Sequence, residues 1–278
     1  MNTERADQTA EDKSFESREV YVVSNREPYV HEFSGDDIAV SRPVGGLTSA
    51  LDPVLQELGG TWIAWGSGDA DVEVVDDTDR VGVPPESSAY ELRRVWIDES
   101  TLQGYYYGFS NQVLWPICHG FLGNVNYEEG FWERYREVNE QFASVVEREV
   151  RSTDPENGTD DSHRDTDDPI VWIHDYHFGV APGRLRDRLP AAATLAFFWH
   201  VPWPPWDLFR RCPHHRAILD GILSNDVVGV HTQQDRRHLV QCAREAFDAT
   251  YDSHTGSVIH DDHRTTVRVA PVPVDHGS

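Results

Sequence analysis

Residues 170–177 read Ile-Val-Trp-Ile-His-Asp-Tyr-His, four consecutive β-formers followed by four side chains that hydrogen-bond. Imidazole, carboxylate and phenol in one short run can bind a metal, move a proton or hold a polyhydroxylated substrate. His174 and His177 stand at i, i+3, but no H-E-x-x-H pattern or carboxylate at helical spacing accompanies them to complete a metal site. Asp175 suits a general base or an acceptor for substrate hydroxyls; its structural alternative is to cap the helix that follows. A second run, Phe197-Phe198-Trp199-His200-Val201-Pro202, repeats the arrangement: an apolar strand ends on a histidine and prolines turn the chain away. Adjacent parallel strands would present His200 and the 174–177 cluster to one crevice, at the carboxyl ends where open α/β sheets bind ligands.

Two further groups could meet such a ligand. Tyr105 to Pro116 is aromatic-rich; Tyr105, Phe109 and Leu114 read as core, whereas Tyr107 and Trp115, eight apart on one helix, could share a face. Aromatic faces stack on sugar rings, and a tyrosine hydroxyl can hold a phosphate. Arg26 follows a first buried strand, and a guanidinium there suits bidentate phosphate recognition. Gly45-Gly46 opens a helical pattern, where backbone N–H groups and the helix dipole favour an anion. It is neither G-x-G-x-x-G nor a Walker loop.

The elements that must position these groups alternate. Strands are expected at Val20–Ser24, Thr61–Trp65, Leu92–Ile97, 170–174, Thr194–Trp199, Val227–His231 and Thr266–Val269. Helices are expected from Leu47 to Leu58, closed by Gly59-Gly60, then at about 128–150, from the 170–174 strand through Leu189, at Ile218–Leu223 and at Asp235–Phe247. The acidic stretch 69–90 reads as a hairpin or loop, and 153–168 as a solvated surface loop. This alternation predicts an α/β fold: a Rossmann-like, doubly wound, mostly parallel sheet. Residues 1–17 read as a disordered acidic tail and 18–278 as one domain.

Composition excludes several classes. A formal charge of −24 argues against nucleic acid and anionic membrane surfaces as partners. Lys13 is the only lysine, and an acidic surface of this kind suits concentrated salt, where the Debye length shrinks to ~3 Å at 1 M. Cys118, Cys212 and Cys242 are odd in number and far apart, which fits a reducing cytoplasm rather than a disulfide framework. The N-terminus lacks the apolar core of a signal peptide, and no apolar run approaches the ~20 residues of a membrane span.

Several motifs occur in one order: Val22-Val23-Ser24-Asn25-Arg26, Gly45-Gly46-Leu47, Trp62-Ile63-Ala64-Trp65-Gly66, Phe109-Ser110-Asn111 through Leu114-Trp115-Pro116 and His119, Ile173-His174-Asp175-Tyr176-His177, His200-Val201-Pro202-Trp203-Pro204, Val228-Gly229-Val230-His231-Thr232, and Ala270 to Asp275. From about residue 20 onward the chain resembles the N-terminal half of the trehalose-6-phosphate synthase family, retaining glucosyltransferases of GT-B architecture. The resemblance implies transfer of glucose from UDP-glucose, or another nucleotide-sugar, to glucose 6-phosphate without metal or cofactor. By matching positions, Arg26, Trp65, Tyr107, Trp115 and Asp175 would contact the acceptor. His200 would sit at the transferred glucose near the reaction centre, with Asp175 the other residue placed there. Gly45 and Gly46 would approach the donor diphosphate.

His231, Pro273 and the Trp203-Pro204-Pro205 context depart from the family's usual pattern, which bears on the acceptor. The chain ends where the family's donor-binding second domain begins. Little or no activity is therefore expected of it alone, and a complementing C-terminal domain or a homo-oligomer is the expected partner. Two other readings stand beside this one: a sister enzyme such as glucosylglycerol-phosphate synthase, and a non-catalytic sugar-phosphate-binding regulatory subunit. A glycoside hydrolase fits least, since no flanking carboxylate pair is identifiable.

Overall fold

The computed structural model describes residues 18–43, 45–152 and 167–271. The tail 1–17, most of the 153–168 loop and the closing motif from Val272 onward lie outside the described residues. The chain forms two compact units. Among the described residues, one lies within 18–96, 145–171 and 189–194, the other within 97–144, 172–188 and 195–271.

In the first unit, β1 (Arg18–Ser24) is followed by a hairpin of β2 (Val30–Ser34) and β3 (Asp37–Ser41), then by helix α1 (Gly46–Leu58), β4 (Thr61–Trp65), β5 (Arg80–Val83) and β6 (Tyr90–Val95). β1, β4 and β6 run parallel in that order, and β5 adds an antiparallel edge. β1 and β4 are buried almost throughout, which is why their sequences are continuous apolar runs rather than alternating ones. Gly59 ends α1 at φ 77°, its N–H donating to Leu55 O. At Gly60 a Cβ would stand 2.3 Å from Val20 O, so only glycine lets β4 start against β1. Ser24 pairs with Ala64 and Trp65 with Val95, so the strands end level.

In the second unit, β7 (Asp167–His174) delivers its last residues beside β8 (Thr194–Trp199), and β9 (Val227–Val230) and β12 (His263–Val269) continue the parallel sheet. β10 (Thr250–Asp252) and β11 (Ser257–His260) close it as an antiparallel edge. The longer helices of this unit include α2 (Phe131–Ser152), which starts in it, α3 (His215–Leu223) and α4 (Gln233–Phe247). Phe197, Val228 and Val267 are buried on the strands; each such side chain stabilises the fold by about 1.5–3 kcal/mol. α4 begins with a capping box in which Thr232 Oγ1 accepts from Asp235 N and the Asp235 carboxylate accepts from Thr232 N.

The fold is α/β with a mostly parallel sheet flanked by helices, as the alternation predicts. One local expectation is met in part and others differ. The acidic 69–90 stretch contributes β5 to a hairpin with β6, as one of its two readings has it, but it also holds a helical turn, Asp71–Val74. The helix expected through Leu189 is broken into a 3-10 turn, Tyr176–Phe178, and a short helix, Ala181–Arg186. The β2–β3 hairpin, turning at Gly35 with φ 68°, was not anticipated.

Candidate active site

The first unit carries Arg26, Gly45, Gly46 and Trp65. Arg26 is exposed in the turn after β1, and Trp65 is half-buried at the end of β4, so both stand at the carboxyl ends of neighbouring parallel strands. Ser24 Oγ donates to Arg26 O at 2.6 Å and accepts from Trp62 Nε1 at 2.8 Å, tying the turn to β4. Beneath the turn lies an ionic cluster that the sequence reading missed. The guanidinium of Arg94, fully buried, donates from Nε to Glu27 Oε2 at 2.8 Å and from Nη2 to Tyr29 O, and pairs with Asp71 Oδ1 at 2.7 Å. His31 Nδ1 lies 2.8 Å from Nη2 of the same side chain. Glu27 Oε1 accepts from both N and Oγ of Ser67, two residues after Trp65. Arg94 thereby joins the turn bearing Arg26 to the loop that follows Trp65.

Burial holds the Glu27 carboxyl well above its usual range, and its hydrogen bond to Asp71 adds to the rise. Burial also works to raise Asp71, but hydrogen bonds from His31 and Glu27 hold it below its usual value. The two buried carboxyl groups beside one guanidinium are thus driven apart, Glu27 toward its protonated form and Asp71 toward the carboxylate. The one sequence signal was Arg93-Arg94 inside a strand, since arginines on a buried strand require partners.

At the start of α1 the glycines are not demanded by packing. A Cβ on Gly46 would meet nothing within 4 Å, and one on Gly45 only Thr48 Oγ1 at 3.5 Å. Among the described residues no side chain caps this N-terminus and its first turn holds no acidic residue, a setting that favours an anion.

The second unit carries Tyr107, Trp115, Asp175 and His200. Residues Gln103–Leu114 form a π-helix, in place of the α-helix implied by the spacing of Tyr107 and Trp115. Cβ atoms on Gly104 and Gly108 would strike Arg134 and Phe131 at 2.7 Å, so this close approach to the start of α2 depends on those glycines. Tyr107 and Trp115 are both exposed, at 45% and 38%, despite being large and apolar. Trp115 stacks on His119 with ring centroids 4.1 Å apart. Tyr107 packs edge-on against Tyr106, which stacks on His177, which stacks on Tyr176. His177 is thus an aromatic spacer rather than a partner of His174. Among the described residues no group of three His, Cys, Asp or Glu could hold a metal ion.

Asp175 and His200 are brought together. Asp175 N donates to Phe198 O at 2.8 Å, and Asp175 Oδ1 accepts from Tyr176 N at 2.9 Å and from His200 N at 3.2 Å. The capping alternative is met, since Asp175 Oδ1 accepts from the turn that follows it, and the same oxygen also ties that turn to the end of β8. Its backbone lies at φ 74°, ψ 165°, a region almost reserved for glycine and costing about 1–3 kcal/mol. Burial pushes its carboxyl up to about 7. His200 is lowered to about 4 by burial, with His231 contributing. The turn is held from below by α2: Tyr135 Oη donates to Tyr176 O at 2.6 Å and accepts from Gly179 N. Asn139 donates to Tyr135 O and His177 O and accepts from the N–H groups of Val180 and Ala181. A fully satisfied buried asparagine of this kind specifies one backbone path. The sequence shows Asn139 only as one polar residue of an amphipathic helix. Beside His200 is a cavity of about 460 Å³ lined also by His119, Pro204, Leu208, His231 and His238.

The sequence pattern of glycosyltransferase family 20 matches residues 18–278. The chain belongs to glycosyltransferase family 20. It is 31% identical over 273 residues to a trehalose-6-phosphate synthase of Mycobacterium ulcerans, covering 95% of this chain and 50% of the relative. A bifunctional trehalose-6-phosphate synthase/phosphatase of Thermoproteus tenax is also 31% identical, with 91% of this chain and 32% of that protein covered. Among solved structures, an E. coli trehalose-6-phosphate protein bound with UDP-2-fluoro glucose superposes with a TM-score of 0.71 at 26% identity, over 92% of this chain and 49% of the other. An alpha,alpha-trehalose-phosphate synthase (UDP-forming) of Burkholderia xenovorans, in complex with glucose-6-phosphate, shares the fold at 24% identity and a TM-score of 0.69, over 91% and 49%. This family 20 chain spans about half the length of the first of these curated relatives.

Proposed function

We propose that this chain is the acceptor-binding, Rossmann-like half of an alpha,alpha-trehalose-phosphate synthase, which transfers glucose from UDP-glucose to glucose 6-phosphate with retention. The observation that carries this reading is Asp175, held in a strained backbone between two strand ends and bonded to the N–H of His200. A carboxylate so placed suits holding sugar hydroxyls, and strain of this kind persists where a site needs it.

By the family's motif positions, Arg26 is assigned to the acceptor phosphate, Trp65, Tyr107 and Trp115 to the sugar, and Asp175 to its hydroxyls. His200 meets the transferred glucose, and the uncapped start of α1 at Gly45 and Gly46 receives the donor diphosphate. In the transfer, the bond from the anomeric carbon to the diphosphate oxygen breaks and its electron pair stays with the diphosphate. The acceptor hydroxyl bonds to the same face of that carbon, and its proton passes to the departing phosphate oxygen. Atoms and charge balance without a cofactor, and the protein contributes orientation and charge stabilisation. A second half of the family's architecture supplies the remaining donor contacts.

The test is calorimetric titration of the chain with glucose 6-phosphate and glycerol 3-phosphate, followed by glucosyl transfer with a complementing second half. Preference for glucose 6-phosphate and a loss of about tenfold or more in affinity for Arg26→Ala are expected. Unchanged binding by that variant would sink the phosphate role, and preference for glycerol 3-phosphate would move the reading to a sister synthase.

The same reading extends to the surroundings. The excess of 48 acidic over 24 basic residues, with one lysine, suits concentrated salt, and three free buried cysteines suit a reducing cytoplasm. No helix among the described residues is long and apolar enough to cross a membrane. A melting temperature that rises between about 0.1 and 2 M potassium chloride supports the salt reading.

A further inference from the structure

The two imidazoles at the ends of β7 and β8 touch. His174 Nδ1 and His200 Nε2 are 3.0 Å apart, a hydrogen bond that needs one proton between them. Two arrangements satisfy it: His174 donates from Nδ1, or His200 donates from Nε2. Neither ring is charged at neutral pH, since burial drives His174 well below its ordinary range and His200 down to about 4. Each ring therefore carries one proton, and placing the shared one fixes the other two nitrogens.

The far nitrogen of His174 decides the matter. His174 Nε2 is buried and has no hydrogen-bond partner among the described residues. Were His200 the donor, His174 would carry its own proton on Nε2, an orphaned buried N–H, the rarer and costlier defect. With His174 donating from Nδ1, Nε2 is a bare nitrogen instead. His200 must then hold its proton on Nδ1. That atom has no hydrogen bond among the described residues, and the ring borders the 460 Å³ cavity. The backbone of His200 is fixed independently by its N–H to Asp175.

We infer that His174 is a positioning residue that locks His200 in the Nδ1–H tautomer, making His200 a hydrogen-bond donor toward its ligand rather than a base. In this state Nε2 of His200 is occupied by His174, and Nδ1 has a proton to give but no lone pair to receive one. A sugar hydroxyl or phosphate oxygen is the ligand chemistry that fits. The tautomer follows from the contact between His174 and His200, the unpartnered Nε2 of His174 and the neutrality of the two buried rings; its use in glucosyl transfer rests on the proposed function.

Long-range 1H–15N NMR of histidine-labelled protein at pH 7 reads which ring nitrogen is protonated, with His200→Gln identifying the His200 signals. Wild type is expected to show His200 protonated at Nδ1. His174→Phe, which keeps the shape and removes the donor, is expected to move that proton to Nε2, and His174→Asn, whose amide can donate to the same atom, to restore Nδ1. A wild-type His200 protonated at Nε2, or a tautomer indifferent to His174→Phe, overturns the assignment. The wild-type spectrum decides even if a variant does not fold. In the complemented enzyme, a kcat about tenfold lower for His174→Phe with recovery in His174→Asn supports the role in transfer. The expected tautomers with unchanged turnover reject the proposed function of His200 while leaving the tautomer in place.

Discussion

Each unit buries a polar cluster at the carboxyl end of its parallel strands, and the two are built on opposite principles. Arg94, Glu27, Asp71 and His31 form a charged cluster in which the guanidinium is matched by carboxylates, a carbonyl and an imidazole. His174, Asp175 and His200 form a cluster without a cation, where burial pushes the carboxyl up to about 7 and His200 down to about 4. The first is saturated and braces two loops. The second is left short of partners, with an unpaired nitrogen on His174 and a strained backbone at Asp175. A saturated cluster holds structure, whereas an unsaturated one next to open space is poised for a ligand.

The strongest way to break this contrast is to remove the cation. Arg94→Met strands two buried carboxyl groups, and a loss of about 3–5 kcal/mol is expected from urea unfolding midpoints. A loss below about 1 kcal/mol would mean that the cluster is not held by charge.

Asp175 offers the reverse experiment. Asp175→Ala keeps the strained backbone and loses both accepted hydrogen bonds, whereas Asp175→Gly loses the bonds but relieves the strain. The glycine variant is expected to be more stable than the alanine variant by about 1–3 kcal/mol, with sugar binding abolished in both. Equal stability would show that the φ of 74° carries no strain.

Acid titration sharpens the comparison further. Because Asp175 is raised from 3.8 to about 7 by burial, the folded state keeps a proton that the unfolded chain releases. That contribution is full below pH 3.8 and is lost as pH rises through about 7. His200 is lowered from 6.5 to about 4, so its contribution is lost as pH falls from 6.5 through about 4. The slopes oppose each other. Relative to wild type, Asp175→Asn is expected to steepen the loss of stability on acidification and His200→Asn to soften it, each by up to about 1.4 kcal/mol per pH unit. Chemical denaturation at a series of pH values reads both, and parallel profiles would remove the opposed titrations.

The smallest effect belongs to a pair with the same chemistry as the buried one. Arg42 and Glu86 approach to 3.1 Å but are 56% and 68% exposed. Glu86→Gln is expected to change stability by less than about 0.5 kcal/mol, and a larger change would show that burial is not what separates the clusters.

Much of this molecule was legible in the residues. The apolar runs at 20–24, 61–65, 170–174 and 194–199 marked strands, and polar side chains at their ends marked Arg26, Asp175 and His200. Less legible were β5, ordered by its partner strand, and the π-helical Gln103–Leu114, whose apolar spacing reads equally well as α. Arg94, Glu27 and Asp71 were invisible as a group because they come from three separate segments.

What the sequence determined by itself is the family, the fold class and most of the main strands and longer helices. These follow from short-range patterns: runs of β-formers, helical periodicity and residues that cannot continue a strand. The tertiary structure alone decided that His174 faces His200, that Asp175 sits at positive φ, and that Arg94 is neutralised beneath Arg26. Each depends on which strand lies next to which, and pairing across a sheet is a long-range choice that no local pattern encodes.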